Sequence, residues 1–127
     1  MKKRILIIDD DPEIFQTLKK RLEFHGFDCD SADSVEAGFE RLKEMKPDLI
    51  LLDLGFRGVD GTAFLKSAGS QLLENESMPP VLVLSCYKDQ EIIDHVLANG
   101  AVGYIRKPYD PANLVTVVSR FASGEGG

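Results

Sequence analysis

Short, unbroken apolar runs alternate along this chain with longer stretches in which apolar residues recur every three or four positions. Ile5-Leu6-Ile7-Ile8, the run inside Asp48 to Asp53, and Val81-Leu82-Val83-Leu84 have no polar interruption, as expected of strands covered on both faces. Phe27 to Ala32 and Gly103 to Arg106 read as two weaker strands. Between them lie helical signals. Asp11-Pro12 predicts an N-cap followed by proline in the first turn, with Ile14, Leu18 and Leu22 on one face and Gly26 as the stop. Asp33 with Glu36 three residues later resembles a capping box, ahead of a stripe of Val35, Phe39 and Leu42. A third helix is predicted from near Asp60 to Leu73, weakened by Gly69. A fourth follows Asp89, carries Ile92, Ile93, Val96 and Leu97, and stops at Gly100. Asp110-Pro111 opens a fifth, with Leu114, Val117, Val118 and Phe121 facing the core.

Five strand–helix units in succession predict a parallel sheet with helices on both faces. The 127 residues suit one domain with a core large enough to need no staples. Residues 1–122 are expected to form it, and the glycine-rich residues 123–127 to be a flexible tail or linker stump. Cys29 and Cys86 are far apart and in no metal-ligand spacing, so two reduced thiols are expected. Met1 to Arg4 is basic and precedes apolar residues, but Asp9-Asp10-Asp11 ends that run too soon for a signal peptide. No run of about 18 apolar residues is present, so the expected location is cytoplasmic, with no membrane contact. A net charge of -6 argues against direct contact with nucleic acid.

The candidate chemistry shares one topological address. Asp9 and Asp10 end the first strand, Asp53 the third and Ser85 the fourth, and Lys107 follows the fifth. Open α/β sheets bind ligands beyond the carboxyl ends of their strands, near the point where strand order reverses. With the order 2-1-3-4-5, three carboxylates, a hydroxyl and an ammonium converge there. Three clustered carboxylates repel one another unless a cation sits among them. Oxygen ligands of this kind suit Mg2+, which leaves room for phosphate oxygens. The ion and Lys107 would neutralise a transferring phosphoryl group, Ser85 could donate to one of its oxygens, and an Asp53 oxygen could attack phosphorus to give an acyl phosphate.

These residues, in this order, make the chain from Lys3 to about Ala122 resemble the receiver domain of bacterial two-component response regulators. Ile5 to Asp11 resembles the family's first strand with its acidic pair, and Asp48 to Leu54 with Gly58-Val59-Asp60-Gly61 its phosphoacceptor strand and loop. Pro80 to Ser85 is similar to the strand ending in a hydroxyl. Gly100-Ala101 and Tyr104 to Asp110 are similar to the switch aromatic and the lysine–proline pair. The resemblance implies a flavodoxin-like fold with a five-stranded parallel sheet in the order 2-1-3-4-5. It implies Asp53 as phosphoacceptor, Mg2+ held by Asp9, Asp10, Asp53 and the Gly55 carbonyl, and Lys107 and Ser85 on the phosphoryl group. It further implies a Ser85–Tyr104 switch and a cis Lys107–Pro108 bond.

The partners implied are a sensor histidine kinase or histidine phosphotransfer protein, and a downstream protein or an effector domain beyond this chain. A phosphorylation-dependent dimer through the fourth helix, fifth strand and fifth helix is also implied. Such a domain assists its own phosphorylation and is not a turnover enzyme. Arg57 stands where the family often has proline, and Ser85 replaces the commoner threonine. Gly55 and Tyr87 occupy positions that influence dephosphorylation; the expected rate is slow to moderate. A receiver-like module serving only as an interaction surface is the main alternative, and the intact acidic and lysine residues argue against it. An aspartate-nucleophile phosphatase of the haloacid dehalogenase type would want a threonine near Asp11 and room for a cap, and has neither. No glycine-rich phosphate-binding motif follows any strand, which disfavours a nucleotide-binding module.

Overall fold

The computed structural model describes residues 2–9, 11–53, 65, 79–85 and 90–123, with Val35 and Ile92 described by backbone alone. The elements in chain order are β1 (Arg4–Ile8), α1 (Pro12–Phe24), β2 (Asp28–Ala32), α2 (Val35–Met45), β3 (Leu49–Asp53), β4 (Val81–Ser85), α3 (Gln90–Ala98), β5 (Gly103–Arg106) and α4 (Pro111–Ala122). The helix expected over Asp60–Leu73 lies outside the described residues except for Leu65, so α3 and α4 are the fourth and fifth helices predicted above.

All strand pairs are parallel and the sheet order is β2-β1-β3-β4-β5, as expected. The inner strands β1, β3 and β4 read as apolar runs because successive side chains point to opposite faces and each face is covered. Ile5, Ile7, Leu49, Leu51, Leu82 and Leu84 pack on one face against Leu18 and Leu22 of α1 and Leu114 and Val118 of α4. Leu6, Ile8, Ile50, Leu52, Val81 and Val83 pack on the other against Phe39 and Leu42 of α2, Leu65, and Val96 of α3. The leucine- and isoleucine-rich sheet is therefore one core divided into two layers.

Local signals explain the helix ends. Asp11 caps α1 by accepting from the Glu13 N–H at 2.9 Å, and Asp110 caps α4 by accepting from the Ala112 N–H at 2.9 Å; proline follows each cap. Gly26 (φ 90°) and Gly100 (φ 113°) sit just beyond α1 and α3 in the left-handed region that a stop requires. Two local expectations need correction. The cap of α2 is Ser34, not Asp33: its hydroxyl accepts from the Ala37 N–H at 3.1 Å. Serine and aspartate cap equally well, so composition could not choose between neighbours. Leu97 is partly exposed rather than part of the buried face of α3, where Ile93 and Val96 lie. The expected cap Asp89 lies outside the described residues.

Long-range polar contacts fix the other end of the sheet. The Arg4 N–H donates to the Asp48 carboxylate at 2.8 Å, and the Arg4 guanidinium donates to the Met45 carbonyl at 2.8 Å. Arg41 on α2 pairs with Asp30 of edge strand β2 and with Glu44 at 2.8 Å. Cys29 is a buried free thiol; burial, with Glu23 and Asp28 nearby, pushes it up to about 12, which disfavours the thiolate.

Lys46 is the C-cap of α2 with φ 47°, a strained backbone for a residue with a Cβ. Lys46→Gly is expected to raise the unfolding free energy by roughly 0.5–1 kcal/mol, measured by urea denaturation; a fall would show that the Lys46 side chain makes a compensating contact.

Candidate functional site

The period of the strands gathers the polar groups. Asp53 is the last residue of β3 and follows the alternation of Leu49 and Leu51, so it belongs to the face covered by α1 and α4. Asp9 continues the same alternation after Ile5 and Ile7, and Lys107 after Ile105. Ile8 pairs with Leu52, which sets Asp9 and Asp53 side by side one step further along. The Lys107 N–H donates to the Ser85 carbonyl at 2.9 Å, extending the β4–β5 ladder past Arg106. That bond holds the lysine next to the middle of the sheet, and its ammonium forms an ion pair with the Asp53 carboxylate. The Lys107–Pro108 peptide is cis, as expected.

Among the described residues, Asp9, Asp53 and Ser85 are the buried polar ones, at 3%, 1% and 1% exposure. One Asp9 oxygen accepts from the Asp11 N–H at 2.9 Å; the other is buried with no hydrogen-bond partner among the described residues. Burial pushes the Asp9 carboxyl up to about 7. The Asp11 N–H opposes that rise, the Asp53 carboxylate adds to it, and Lys107 draws it back. A buried carboxylate oxygen without a donor, beside a second carboxylate, suits a hard cation. Among the described residues no group of three His, Cys, Asp or Glu side chains stands ready to hold one. The third carboxylate expected at this place, Asp10, lies outside the described residues, as do Gly55, Arg57 and Tyr87.

Ser85 and Tyr104 share the opposite sheet face. Ser85 follows Val81 and Val83, and the register sets Val83 beside Tyr104 and Ser85 beside Arg106. Tyr104 is 38% exposed. His25, the C-cap of α1, and His95 on α3 are both exposed. Sequence reasoning gave Tyr109 no role of its own. It is half-buried, and its phenol is pushed up by burial first and by the charge of Asp53 next. It therefore lies within electrostatic reach of the acidic pair. Its position two residues after Lys107 was the available signal.

Comparison with known proteins agrees with this arrangement. Residues 5–119 match the response regulator receiver domain family. The chain is 32% identical over 118 residues to the DNA-binding response regulator MtrA of Mycolicibacterium smegmatis, covering 93% of this chain and 50% of that protein. It is 37% identical over 116 residues to the alkaline phosphatase synthesis transcriptional regulatory protein PhoP of Bacillus subtilis, covering 90% of this chain and 46% of that protein. The chain thus spans about half the length of these two relatives. Among solved structures, a CheY-like receiver domain protein from Methanospirillum hungatei JF-1 superposes with a TM-score of 0.85 at 27% identity, over 98% of this chain and 97% of that one. Receiver domains are phosphoacceptor modules of two-component signalling rather than turnover enzymes. The sheet order, the match over residues 5–119 and these relatives agree: the chain belongs to the response regulator receiver domain family.

Proposed function

We propose that this chain is a phosphorylation switch in which Asp53 accepts a phosphoryl group from a phosphohistidine on a sensor kinase or phosphotransfer protein. The observation that carries the reading is the pairing of buried Asp53 with Lys107 next to buried Asp9, whose second oxygen has no hydrogen-bond partner among the described residues. An Asp53 oxygen attacks phosphorus in line, the P–N bond to the donor imidazole breaks, and the imidazole leaves with the electron pair. Lys107, already at the Asp53 oxygens, shifts to the phosphoryl oxygens as negative charge moves outward from the carboxylate. Asp9, Asp10, Asp53 and the Gly55 carbonyl are the proposed Mg2+ ligands. The ion supplies charge neutralisation for the carboxylates and the phosphoryl oxygens.

The output follows from the shared face of Ser85 and Tyr104. A hydroxyl drawn to the phosphoryl group leaves space behind β4, and the ring of Tyr104 fills it. The surface of α3, β5 and α4 changes, and a downstream protein or an effector domain reads it, directly or by pairing two copies of the domain. The switch is assigned to residues 1–122, with residues 123–127 as a tail or linker. Among the described residues no helix is long and apolar enough to cross a membrane, in keeping with action in the cytoplasm beside a kinase.

Two outcomes test this reading. With Mg2+ and acetyl phosphate, intact mass should rise by one phosphoryl group; Asp53→Asn should abolish the adduct and His25→Ala should leave it. An adduct that persists in Asp53→Asn, or none in the wild type, leaves the domain as an interaction surface only. The second outcome concerns pH. Because the Asp9 carboxyl is raised from 3.8 to about 7, the folded state holds a proton that the unfolded state has lost between those values. Its contribution to stability therefore falls as pH rises from about 4 to about 7 and is level above. Thermal melts without divalent ions should show that decline, Asp9→Asn should flatten it, and Mg2+ should raise the melting temperature more at pH 8 than at pH 5. A Mg2+ effect independent of pH would remove Asp9 from the ion's ligands.

A further inference from the structure

The outer edge of β2 forms against its own composition. Its sequence, Asp-Cys-Asp-Ser-Ala, has no β-branched or aromatic residue, and aspartate is disfavoured in strands. β2 nevertheless pairs with β1 over all five residues, and among the described residues no strand lies on its other side. The Asp28 N–H donates to the Lys3 carbonyl at 2.9 Å, and the Ala32 carbonyl accepts from the Asp9 N–H at 3.0 Å. Backbone groups alternate in direction along a strand, so Asp28, Asp30 and Ala32 face β1 while Cys29 and Ser31 face outward. Such an edge is a template on which another strand can pair.

Asp30, the middle residue of β2, engages both of its carboxylate oxygens there. Oδ1 accepts from the outward Ser31 N–H at 2.8 Å. Oδ2 forms an ion pair with Arg41 of α2, and Arg41 is held in turn by Glu44 at 2.8 Å. One of the two outward donors is therefore occupied by a side chain. An aspartate serving only to hydrate the surface would leave that N–H free. Charge adds a second obstacle. In an antiparallel pair of β2 strands centred on Asp30, Cys29 and Ser31 would exchange hydrogen bonds with their copies. Each Asp30 would then face its own copy at a Cα separation of about 4.5 Å. Centring the pair on Cys29 sets Asp28 opposite Asp30 instead. Like charges directly opposite each other destabilise a strand pair.

We propose that Asp30, oriented by Arg41, closes the β2 edge and keeps two copies of this chain from joining into one continuous sheet. The occupant shut out is a second copy, because the outward groups of Cys29 and Ser31 complement themselves about Asp30. β2 and β5 are opposite margins of the sheet. The proposal therefore rests neither on phosphoryl transfer nor on a contact through α3, β5 and α4.

The test uses the full chain without a phosphodonor, followed by sedimentation velocity over a series of concentrations. The wild type should stay monomeric. Asp30→Val, which places a strand-forming residue at the same position, should dimerise with a Kd at least about tenfold below any self-association of the wild type. In that dimer the Cys29 and Ser31 amides should exchange about tenfold more slowly or less. Arg41→Met keeps the Asp30 carboxylate and should remain monomeric, which separates closure of the edge from simple loss of an ion pair. A cysteine variant locates the contact independently. In a Cys86→Ser background, Asp30→Cys should crosslink on mild oxidation about tenfold faster than Glu40→Cys on the exposed face of α2, because facing residues of the pair meet disulfide spacing. A monomeric Asp30→Val, equal association of Arg41→Met, equal crosslinking of the two cysteine variants, or slowed amides confined to other elements would each overturn the proposal.

Discussion

The interaction on which the rest of this structure depends is the ion pair between Lys107 and Asp53 at the carboxyl end of the sheet. Asp53 is buried at the end of the central strand, and Asp9 lies beside it on the neighbouring one. Two carboxylates withdrawn from water at one place are unfavourable by desolvation and by mutual repulsion. Lys107 relieves that cost for Asp53. Asp9 is left with a raised affinity for protons and, among the described residues, an oxygen without a donor. The site thus holds an unfinished charge balance, which a divalent cation or a proton completes. A phosphoryl group adds further negative charge to the same place, which can switch the domain only if the surrounding cations answer it.

The apolar architecture makes this balance possible. Continuous strands of Ile, Leu and Val keep the sheet dry up to its edge, so Asp53 and Asp9 are as buried as the leucines behind them. The strand alternation then sorts the polar groups into two sets. Asp9, Asp53 and Lys107 belong to the face of α1 and α4; Ser85 and Tyr104 belong to the face of α2 and α3. Chemistry on one face and response on the other is a consequence of period-two geometry.

Much of this was legible in the sequence because its strongest signals are local and periodic. Asp11-Pro12 and Asp110-Pro111 predict helix starts through a hydrogen bond two residues away, and both form. The apolar runs predict buried parallel strands, and the resemblance supplies their order. The cap of α2 was not decidable, since Ser34 and Asp33 are adjacent and chemically equivalent for that task. Long-range contacts were also out of reach: nothing local joins Arg4 to Asp48, or Arg41 to Asp30. The involvement of Tyr109 with Asp53 and the exposure of Phe24 both depend on how α1 and the segment after β5 pack, which composition does not encode.

Lys107 stabilises the fold by offsetting the buried carboxylates. A double-mutant cycle of Lys107→Met and Asp9→Asn, by urea unfolding at pH 8 without divalent ions, tests it directly. Lys107→Met alone is expected to cost roughly 2–3 kcal/mol, because it leaves buried charge uncompensated. Adding Asp9→Asn should recover a large part of that loss, giving a coupling of about 1 kcal/mol or more. Strictly additive effects, or a Lys107→Met variant as stable as the wild type, would contradict the account.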